Sequence, residues 1–564
     1  MRKPRAYFGG HGDTRSGPAG WVEPHHLAGM DITSELLIKA GYEPVPLQRG
    51  LIQSVHDAAL AMEPIVKEGQ PGDLFVSMST GWGLPGIFKA MMNRIRKPVL
   101  NGSVGVHLLS NLLAQYPGFV LASAQAHVCR AAGYKFTRDI VLDWNNPVHV
   151  ERLRQRRETG EVKIDFQKEY GDGKPGEVKV DEADKKEAAE VLRRIDGMIY
   201  GGIGVRSMLM DQGGVNEFLL QQLGLNFIDI GALEMKAEAD AIQKWRAKMA
   251  MDFCVDRGLK VNVPEEIFGR QMQILLAIRH LMDKYHLNFV GYQGQFDQTV
   301  YDVAEDMALA LLNSRQQPEG DGKARVGATE RDFYAAVTMM LMQLCVAVRY
   351  QTPNDPVAFH DLRHIVELLI KMPGMPKAMK RWFVVLLNSG ALNLRDLTGS
   401  NETMEGVEAD SQNPAYFRNG GAASKGQMVH LGRIIDYPGG QDARRVGTWA
   451  RLIPVGKNGL TNSFMLVAGH YDLMTLTPEI RQKHPVLKLL DAQWPMGVAG
   501  SNCPWQILFG VDCNHIQSVP FDILSLLAAI AQLMGWIFVP IGVGLDNPIP
   551  GAAEIVLPEA EETA

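Results

Sequence analysis

The chain has few cysteines, and their spacing does not suggest a disulfide framework. Five cysteines are scattered over 564 residues without a C-x-x-C pair. An odd number of widely spaced thiols is typical of proteins from a reducing compartment. We therefore expect reduced thiols and a cytoplasmic location. The cysteines are Cys129, Cys254, Cys345, Cys503 and Cys513.

Long runs of basic residues are also missing. The 57 lysines and arginines are outnumbered by 63 acidic residues, which gives a net charge of −6. A nucleic-acid-binding surface needs clustered cations to neutralise the phosphate backbone. The composition therefore argues against nucleic acid as a partner.

No stretch of the sequence is well suited to crossing a membrane. The first residues, MRKPRAYFGGHGD, lack the apolar core of a signal peptide. The apolar stretch from Ile523 to Leu545 is interrupted by Gly535 and Pro540. Its first part has helical character and the rest is too short to span about 30 Å of hydrocarbon. We predict a buried helix to Trp536 followed by a core strand, and no membrane partner.

Apolar residues make up 46% of the chain and charged residues 21%, as in a globular protein. Domains usually contain roughly 100 to 200 residues, so about three domains are expected. Strand-like and helix-like segments alternate from RAYFGG onward and again from MIYGGIGV onward, which predicts open, largely parallel sheets covered by helices. After Gln351, segments such as MVHLGRIIDY and SFMLVAGHYDLM are rich in β-formers.

The predicted fold class is α/β, with two Rossmann-like parallel-sheet domains followed by a mixed α/β, β-rich C-terminal domain. The predicted domains cover residues 1–185, 186–350 and 351–564. Residues 151–188 carry alternating charges and few large apolar side chains, so we expect a solvated connection there. The glycine-rich GGHGDTRSGPAG fits neither G-x-G-x-x-G nor the P-loop, so a nucleotide site there is not expected.

One predicted helix is apolar on every side. Between Phe333 and Val348 the only strongly polar side chain is Gln343, so the helix should be buried in the core of a large protein. We expect Thr329 to cap it, which places Glu330 in its first turn, where the helix dipole favours a carboxylate. On this segment alone, a purely structural role for Glu330 is a full alternative to a catalytic one.

The histidines offer two further candidates. His360 and His364 have the i, i+4 spacing of a helical metal pair, but the glutamate of H-E-x-x-H is missing. His515 lies between two apolar segments, so we expect it on a turn at the edge of a core. Either a buried structural histidine or a functional one fits this position.

Several segments, in the same order, resemble the L-fucose isomerases, which are Mn-dependent aldose–ketose isomerases that include enzymes acting on D-arabinose. The matching segments are GGIGVRSMLMDQGGVNEFLLQQLGLNFIDIGALEMKAEAD, GYQGQFDQTVYDVAEDMALALLNS, GATERDF, FHDLR, LLNSGAL, AYFRNGG, AGHYDLMTLTPEI, AQWP and CNHIQSVPFDILSLLAAIAQLMGWIFVPI. They cover most of the chain after Gly197, whereas the N-terminal third is similar only through HGDTRSG and STGWG.

The resemblance implies a metal site formed by Glu330, Asp361 and His515. Two carboxylates and an imidazole with open coordination positions suit Mn²⁺ or a similar divalent ion. It also implies a sugar pocket, because an indole covers a sugar face while amide and hydroxyl groups bind its edges. The implied pocket residues are Arg15, Trp82, Gln293, Ser389, Trp494 and Asn514.

The implied reaction is the interconversion of an unphosphorylated aldose and ketose through a cis-enediolate, with Glu330 and Asp361 moving the protons. The resemblance further implies a homo-oligomer, a hexamer or trimer, whose N-terminal region completes the site of a neighbouring subunit. The segment YQTPNDPV makes the interval between Glu330 and Asp361 longer than expected for this family. The resemblance therefore does not identify which sugar is the substrate. Two other functions stay open as well: a metal-dependent sugar epimerase or lyase on the same fold, and a non-catalytic sugar-binding relative.

Overall fold

The computed structural model describes most of the chain. The described residues are 2–12, 22–79, 84–111, 117–141, 146–170, 172–173, 176–293, 302–303, 305–315, 317–354, 357–363, 383–387, 408–411, 422–425, 447–474, 496–500, 503–519 and 521–543. The chain is α/β, with two parallel sheets followed by a mixed one.

The first sheet is fully parallel, as the alternating sequence pattern predicts. Its strand order is β2-β1-β3-β4-β5. The strands are β1 Arg5–Gly10, β2 Glu43–Pro46, β3 Asp73–Ser79, β4 Val104–Asn111 and β5 Phe136–Val141. The helices of this region are Val22–Lys39, Val55–Ala61, Glu63–Glu68, Pro85–Arg94, Arg96–Leu100 and Pro117–Ala132.

The second sheet is also parallel, with the order β10-β9-β6-β7. The next strands along the chain are β6 Ile199–Ile203, β7 Asn226–Ile230, β8 Lys260–Asn262, β9 Phe289–Tyr292 and β10 Val326–Ala328. The helices are Glu217–Leu223, Ala232–Ala241, Lys244–Asp256, Glu265–Lys284, Asp306–Leu312 and Phe333–Arg349. The apolar and charged residues between Glu234 and Asp256 form two helices rather than one long helix, because the chain is extended at Ile242 and Gln243.

Antiparallel pairing dominates the third region. The strands are β11 Ala358–Arg363, β12 Phe383–Leu387, β13 Glu408–Ser411, β14 Ala422–Lys425, β15 Gly447–Lys457, β16 Leu460–Met474, β17 Met496–Gly500, β18 His515–Val519 and β19 Ile537–Pro540. The order β15-β18-β11-β12-β17-β16-β19, with a further β15–β16 pairing, closes six antiparallel strands into a barrel. The helices are Pro504–Gly510 and Leu524–Met534. Separately, β13 pairs with β14 and β8.

The apolar segment near the C-terminus folds as predicted. The helix Leu524–Met534 ends at Gly535, whose φ of 66° is a left-handed conformation that glycine adopts without a steric penalty. The strand Ile537–Pro540 follows directly. No helix in the described part of the chain is long and apolar enough to cross a membrane. All five cysteines are buried, and none of them forms a disulfide.

Residues 151–188 are largely exposed, as their charge predicts, but they are not simply an irregular connection. They contain most of the helix Pro147–Thr159, the short helix Phe166–Tyr170 and the start of Glu182–Ile195. Arg152 is buried and bonded to Asp139, while the carboxylate of Asp172 accepts from the backbone of Gln506 at 2.8 Å. A few of the charged residues, such as Arg152 and Asp172, are therefore buried and have polar partners inside the fold. The boundary expected at residue 185 falls inside the last helix, and the division into domains stays a prediction.

The apolar helix Phe333–Arg349 is the buried core element that the sequence predicts. Every residue from Phe333 to Val346 is buried, and Gln343 donates to the carbonyl of Ala324 at 3.4 Å. The helix packs against β15 and β18 on one side and against helix Glu182–Ile195 on another. It therefore connects the second sheet to the barrel.

His127 packs edge-on against Tyr334 of this helix, with the ring centroids 5.4 Å apart. Burial lowers the pKa of His127 to about 4. Below its ordinary pKa of about 6.5 the unfolded chain takes up a proton that the folded chain excludes, so stability should fall as the pH drops from about 6.5 towards 4.

Replacing His127 by Phe keeps an aromatic ring but removes the imidazole that takes up a proton in the unfolded chain. Between pH 7 and pH 5 we expect the variant to lose about 1 to 2 kcal/mol less of its free energy of unfolding than the wild type does. Urea denaturation at the two pH values measures this difference. His280→Phe, at an exposed position, is the control and should follow the wild type. Equal losses in wild type and His127→Phe would contradict the prediction.

Candidate functional site

Glu330 lies in a strained turn between β10 and the apolar helix. The turn is the 3-10 segment Thr329–Arg331, in which Glu330 has a φ of 58° and Arg331 a φ of 53°. Two consecutive non-glycine residues in the left-handed region cost on the order of 1 to 3 kcal/mol each, and such strain clusters at functional sites. Something in the surrounding structure must therefore hold this turn.

Arg331 supplies much of that support. Its guanidinium donates to the carbonyl of Gly204 and, at 2.5 Å, to the carboxylate of Asp229. It packs so closely on Gly202 that a Cβ there would lie 2.6 Å from Nη2. The turn is therefore fastened to the carboxyl ends of β6 and β7, which holds the backbone of Glu330 in place.

The expected cap of the apolar helix is wrong by three residues. Asp332, not Thr329, is the cap, and its carboxylate accepts from the backbone N–H of Ala335 at 2.9 Å. A right-handed helix cannot include Glu330 and Arg331 in left-handed conformations. Glu330 is therefore placed before the helix rather than in its first turn.

His515 is the first residue of β18 and is completely buried, rather than lying on a turn. Its Nε2 lies 3.0 Å from Oε2 of Glu330, and its Nδ1 lies 2.7 Å from Oδ2 of Asp332. The imidazole thus bridges two carboxylates that are only two residues apart in the sequence. The left-handed turn produces this arrangement, because it directs both acids towards the same ring.

Asp332 is held ionised by a second buried partner. Arg451 of β15 contacts both of its carboxylate oxygens, at 2.9 and 3.0 Å, and both side chains are fully buried. Burial alone would raise the pKa of Asp332, but the charge of Arg451 and the hydrogen bond from His515 outweigh it and hold this pKa far below its usual range.

The tautomer of His515 follows from these contacts. An ionised Asp332 can only accept, so Nδ1 of the ring carries a proton and donates it. Nδ2 of Asn514 lies 2.9 Å from Nε2, and Gln212 donates to Oδ1 of that amide at 2.6 Å. Nε2 then faces a carboxylate oxygen of Glu330 at 3.0 Å, and either a proton or a cation has to lie between these two atoms.

Asp361 lies beside this pair. It belongs to β11, and in the antiparallel register it is directly opposite His515. Residues directly opposite each other in an antiparallel pair have Cα atoms about 4.5 to 5.5 Å apart. The structure therefore brings together the backbone positions of all three residues expected to bind metal. It describes the side chains of Glu330 and His515.

A second buried acid lies near Glu330. Oε1 of Glu305 accepts from the hydroxyl of Thr329 at 3.1 Å. Burial, with a further contribution from the charge of Glu330, raises the pKa of Glu305 to about 8. Glu305 is therefore mainly a neutral carboxylic acid at pH 7, next to a residue that contacts His515.

Asp332, Cys513 and His515 form an alternative group of metal ligands, with atoms within 4.8 Å of one another. Two of these atoms already satisfy each other, because Asp332 accepts from Nδ1 of His515. Burial also raises the pKa of the Cys513 thiol, which disfavours the thiolate that binds metals. A cation is therefore better placed beside Nε2 of His515, the ring atom that faces Glu330.

The other predicted residues are distributed as follows. Gln293 is buried at the end of β9, and its Oε1 accepts from the backbone N–H of Val205 at 2.7 Å. Asn514 touches His515 through its side-chain amide. Arg15, Trp82, Ser389, Trp494 and His364 lie outside the described residues. The helical metal pair considered for His360 and His364 is wrong, because His360 belongs to strand β11.

Sequence reasoning missed Asp332, Arg451, Glu305 and Gln212 as members of this site. One available signal was Arg451, the single charge within the apolar strand sequence VGTWARLIPV. An arginine is rarely buried without a partner. The sequence does not show which acid would pair with it.

No protein-family model matches this chain, and no curated protein matches it in sequence. The resemblance to the L-fucose isomerases therefore stays a prediction. The function of the chain has to be inferred from the geometry around Glu330 and His515.

Proposed function

We propose that the chain is a metal-dependent aldose–ketose isomerase that acts through a cis-enediolate on an unphosphorylated sugar. The observation that supports this most directly is the pair of acceptor atoms, Nε2 of His515 and Oε2 of Glu330, 3.0 Å apart in a buried site. The backbone of Asp361 pairs with that of His515 in neighbouring strands, and in this proposal Asp361 is the third ligand.

The donor set fits a divalent cation. Two ligands bound at about 2.1 Å in neighbouring octahedral positions lie about 3 Å apart, close to the separation of Glu330 and His515. Two carboxylates with one imidazole favour hard or borderline ions such as Mn²⁺ over soft ones. Asp332 bonds the other nitrogen of His515, and such a carboxylate partner fixes the ring of many metal-binding histidines. We propose Mn²⁺, or another divalent metal, held by Glu330, Asp361 and His515.

The metal, when bound, supplies the positive charge that polarises a sugar carbonyl and makes the adjacent C–H more acidic. The chain supplies the rest of the reaction. We propose that Glu330 and Asp361 transfer protons at C1 and C2, because a positioned carboxylate on each side of the sugar can act as base and acid. The apolar helix and Arg331 hold Glu330 rigidly, which limits the geometries it can adopt.

Polar groups around the pair can bind the sugar hydroxyls. Gln293 and Asn514 are buried amides, as expected for residues that orient a polyol. We propose that Arg15, Trp82, Ser389 and Trp494 complete the pocket. We also propose a cytoplasmic homo-oligomer, a trimer or hexamer with shared sites, built from two Rossmann-like domains and a mixed C-terminal domain.

Metal removal tests the proposal. Exhaustive chelation is expected to abolish ketose formation from a panel of pentoses and hexoses, and Mn²⁺ should restore it. The metal content of the purified chain, measured by elemental analysis, is the second readout. A metal-free chain with full activity would contradict the proposal and would indicate that His515 is doubly protonated. Metal and sugar binding with a different product would indicate an epimerase or lyase, and sugar binding without turnover a binding protein.

A further inference from the structure

A basic cleft lies at the amino ends of strands in the first sheet. The cleft has a volume of about 560 Å³ and is lined at the amino ends of β3 and β4 by residues that include Asp73, Lys135, Arg156 and Arg157. Parallel sheets bind ligands at the carboxyl ends of their strands, so this cleft is separate from the proposed sugar pocket. Its size is within the roughly 300 to 1,000 Å³ of ligand pockets.

Asp73, the acid among these cleft residues, is already paired with groups outside the cleft. Oδ2 of Asp73 lies 2.6 Å from the guanidinium of Arg2, and Oδ1 accepts from the backbone N–H of Arg5 at 2.9 Å. It is therefore not available to balance the cations of the cleft. The chain as a whole has a net charge of −6, so the local positive charge is not a general property of the surface.

Arg156 is the residue of this cleft that most strongly indicates a bound anion. It is half-buried, and within the described residues no carboxylate forms an ion pair with it, although its Nη1 donates to the carbonyl of Gly160. Its guanidinium packs against the backbone of Gly105, where a Cβ would lie 2.7 Å from Nη2. Burial lowers the pKa of Arg156. The charge of Glu161 offsets part of this burial. Because no carboxylate within the described residues contacts the guanidinium, a bound anion would stabilise it further.

The neighbouring arginines differ in this respect. Arg157 donates to the carbonyl of Ala40 at 2.8 Å and to Glu158 at 2.9 Å. Arg154 points to another part of the surface, where it donates to the carbonyl of Lys39 at 3.0 Å. Both therefore have partners that explain their presence, whereas the direct hydrogen-bond acceptor of Arg156 within the described residues is a backbone carbonyl.

We propose that this cleft binds a phosphate-bearing small molecule. A guanidinium fork matches two phosphate oxygens, and Lys135 adds a compact second charge. The wall offers room for such a ligand, because a Cβ at Gly102 or Gly160 would meet no atom within 4 Å. The ligand is a phosphomonoester or free phosphate, which share the same oxyanion.

Titration calorimetry on the full chain at constant ionic strength tests this with inorganic phosphate, AMP and adenosine as probes. We expect AMP or phosphate to bind saturably below about 1 mM, and adenosine not to bind. Binding by AMP alone would identify a phosphomonoester site, and equal binding by phosphate a free-phosphate site. The measurement requires neither sugar turnover nor bound metal, so its outcome is independent of the proposed isomerase.

Arg156→Gln should weaken binding roughly tenfold or more, the effect of losing one hydrogen bond to a charged group. Arg154→Gln removes the same charge from the same helix on another face and should leave binding unchanged. Lys135→Gln, at an exposed position, provides a second variant in case Arg156→Gln misfolds, and should weaken binding several-fold. No saturable binding of AMP or phosphate, or equal weakening by Arg154→Gln, would overturn the proposal.

Discussion

Glu330→Gln is expected to lower kcat by roughly 10²-fold or more, which is the contribution of a positioned acid or base. The variant keeps the shape of the side chain and removes the charge that faces Nε2 of His515 at 3.0 Å. Both proposed roles, metal ligand and proton carrier, need that charge. Exchange of solvent deuterium into C1 or C2 of the sugar should fall together with kcat.

Glu305→Gln is the matched control. Glu305 is also buried, and its carboxyl group bonds the hydroxyl of Thr329 next to Glu330. Its pKa of about 8 keeps it mainly protonated at pH 7, so a neutral amide resembles the form already present. We expect kcat within a few-fold of the wild type. Deuterium exchange at the wild-type rate in Glu330→Gln would show that Glu330 is structural, while a comparable loss in both variants would indicate general damage to the turn.

Local patterns in the sequence were sufficient for the main secondary structure. The apolar run after Phe333 predicted a buried helix, and the stretch before Gly535 predicted a helix followed by a strand. These predictions succeed because periodicity and helix-ending glycines act through neighbouring residues. The parallel sheets follow for the same reason, from the alternation of short strands and helices.

The arrangement of the site could not be obtained in that way. The left-handed conformations of Glu330 and Arg331 depend on contacts with Gly204 and Asp229, which are more than 100 residues away in the sequence. The backbone propensities of glutamate and arginine would not place either residue in the left-handed region. Because of this turn, the helix is capped by Asp332 rather than Thr329. The carboxylate of Asp332 also orients His515.

Tertiary pairing also decided which charges are structural. Residues 151–188 look solvated from composition, yet Arg152 is buried against Asp139. Arg451 reaches Asp332 across 119 positions of the chain. A charge pattern along the sequence gives no information about such pairs, because the partner is chosen by the fold. Of the three predicted metal ligands, Asp361 and His515 are brought together by strand pairing, which the spacing of the two residues does not reveal.

Arg451→Met is expected to destabilise the chain by about 3 to 5 kcal/mol, the usual cost of removing one partner from a buried ion pair. Asp332 would keep its bonds to His515 and Ala335 but lose the two contacts, at 2.9 and 3.0 Å, that offset its burial. Its carboxylate would then be a buried charge without a counterion. The effect should be large because both side chains are inaccessible to water.

A double variant separates the charge effect from lost packing. In Arg451→Met with Asp332→Asn, no uncompensated charge is left, so part of the lost stability should return. Arg246→Met is the control, because Arg246 pairs with Glu319 at an exposed site, and exposed pairs contribute about 1 kcal/mol or less. Chemical denaturation at pH 7 measures all four proteins. If Arg451→Met were no less stable than Arg246→Met, Arg451 would not be the counterion that holds Asp332 ionised, and the tautomer inferred for His515 would lose its main support.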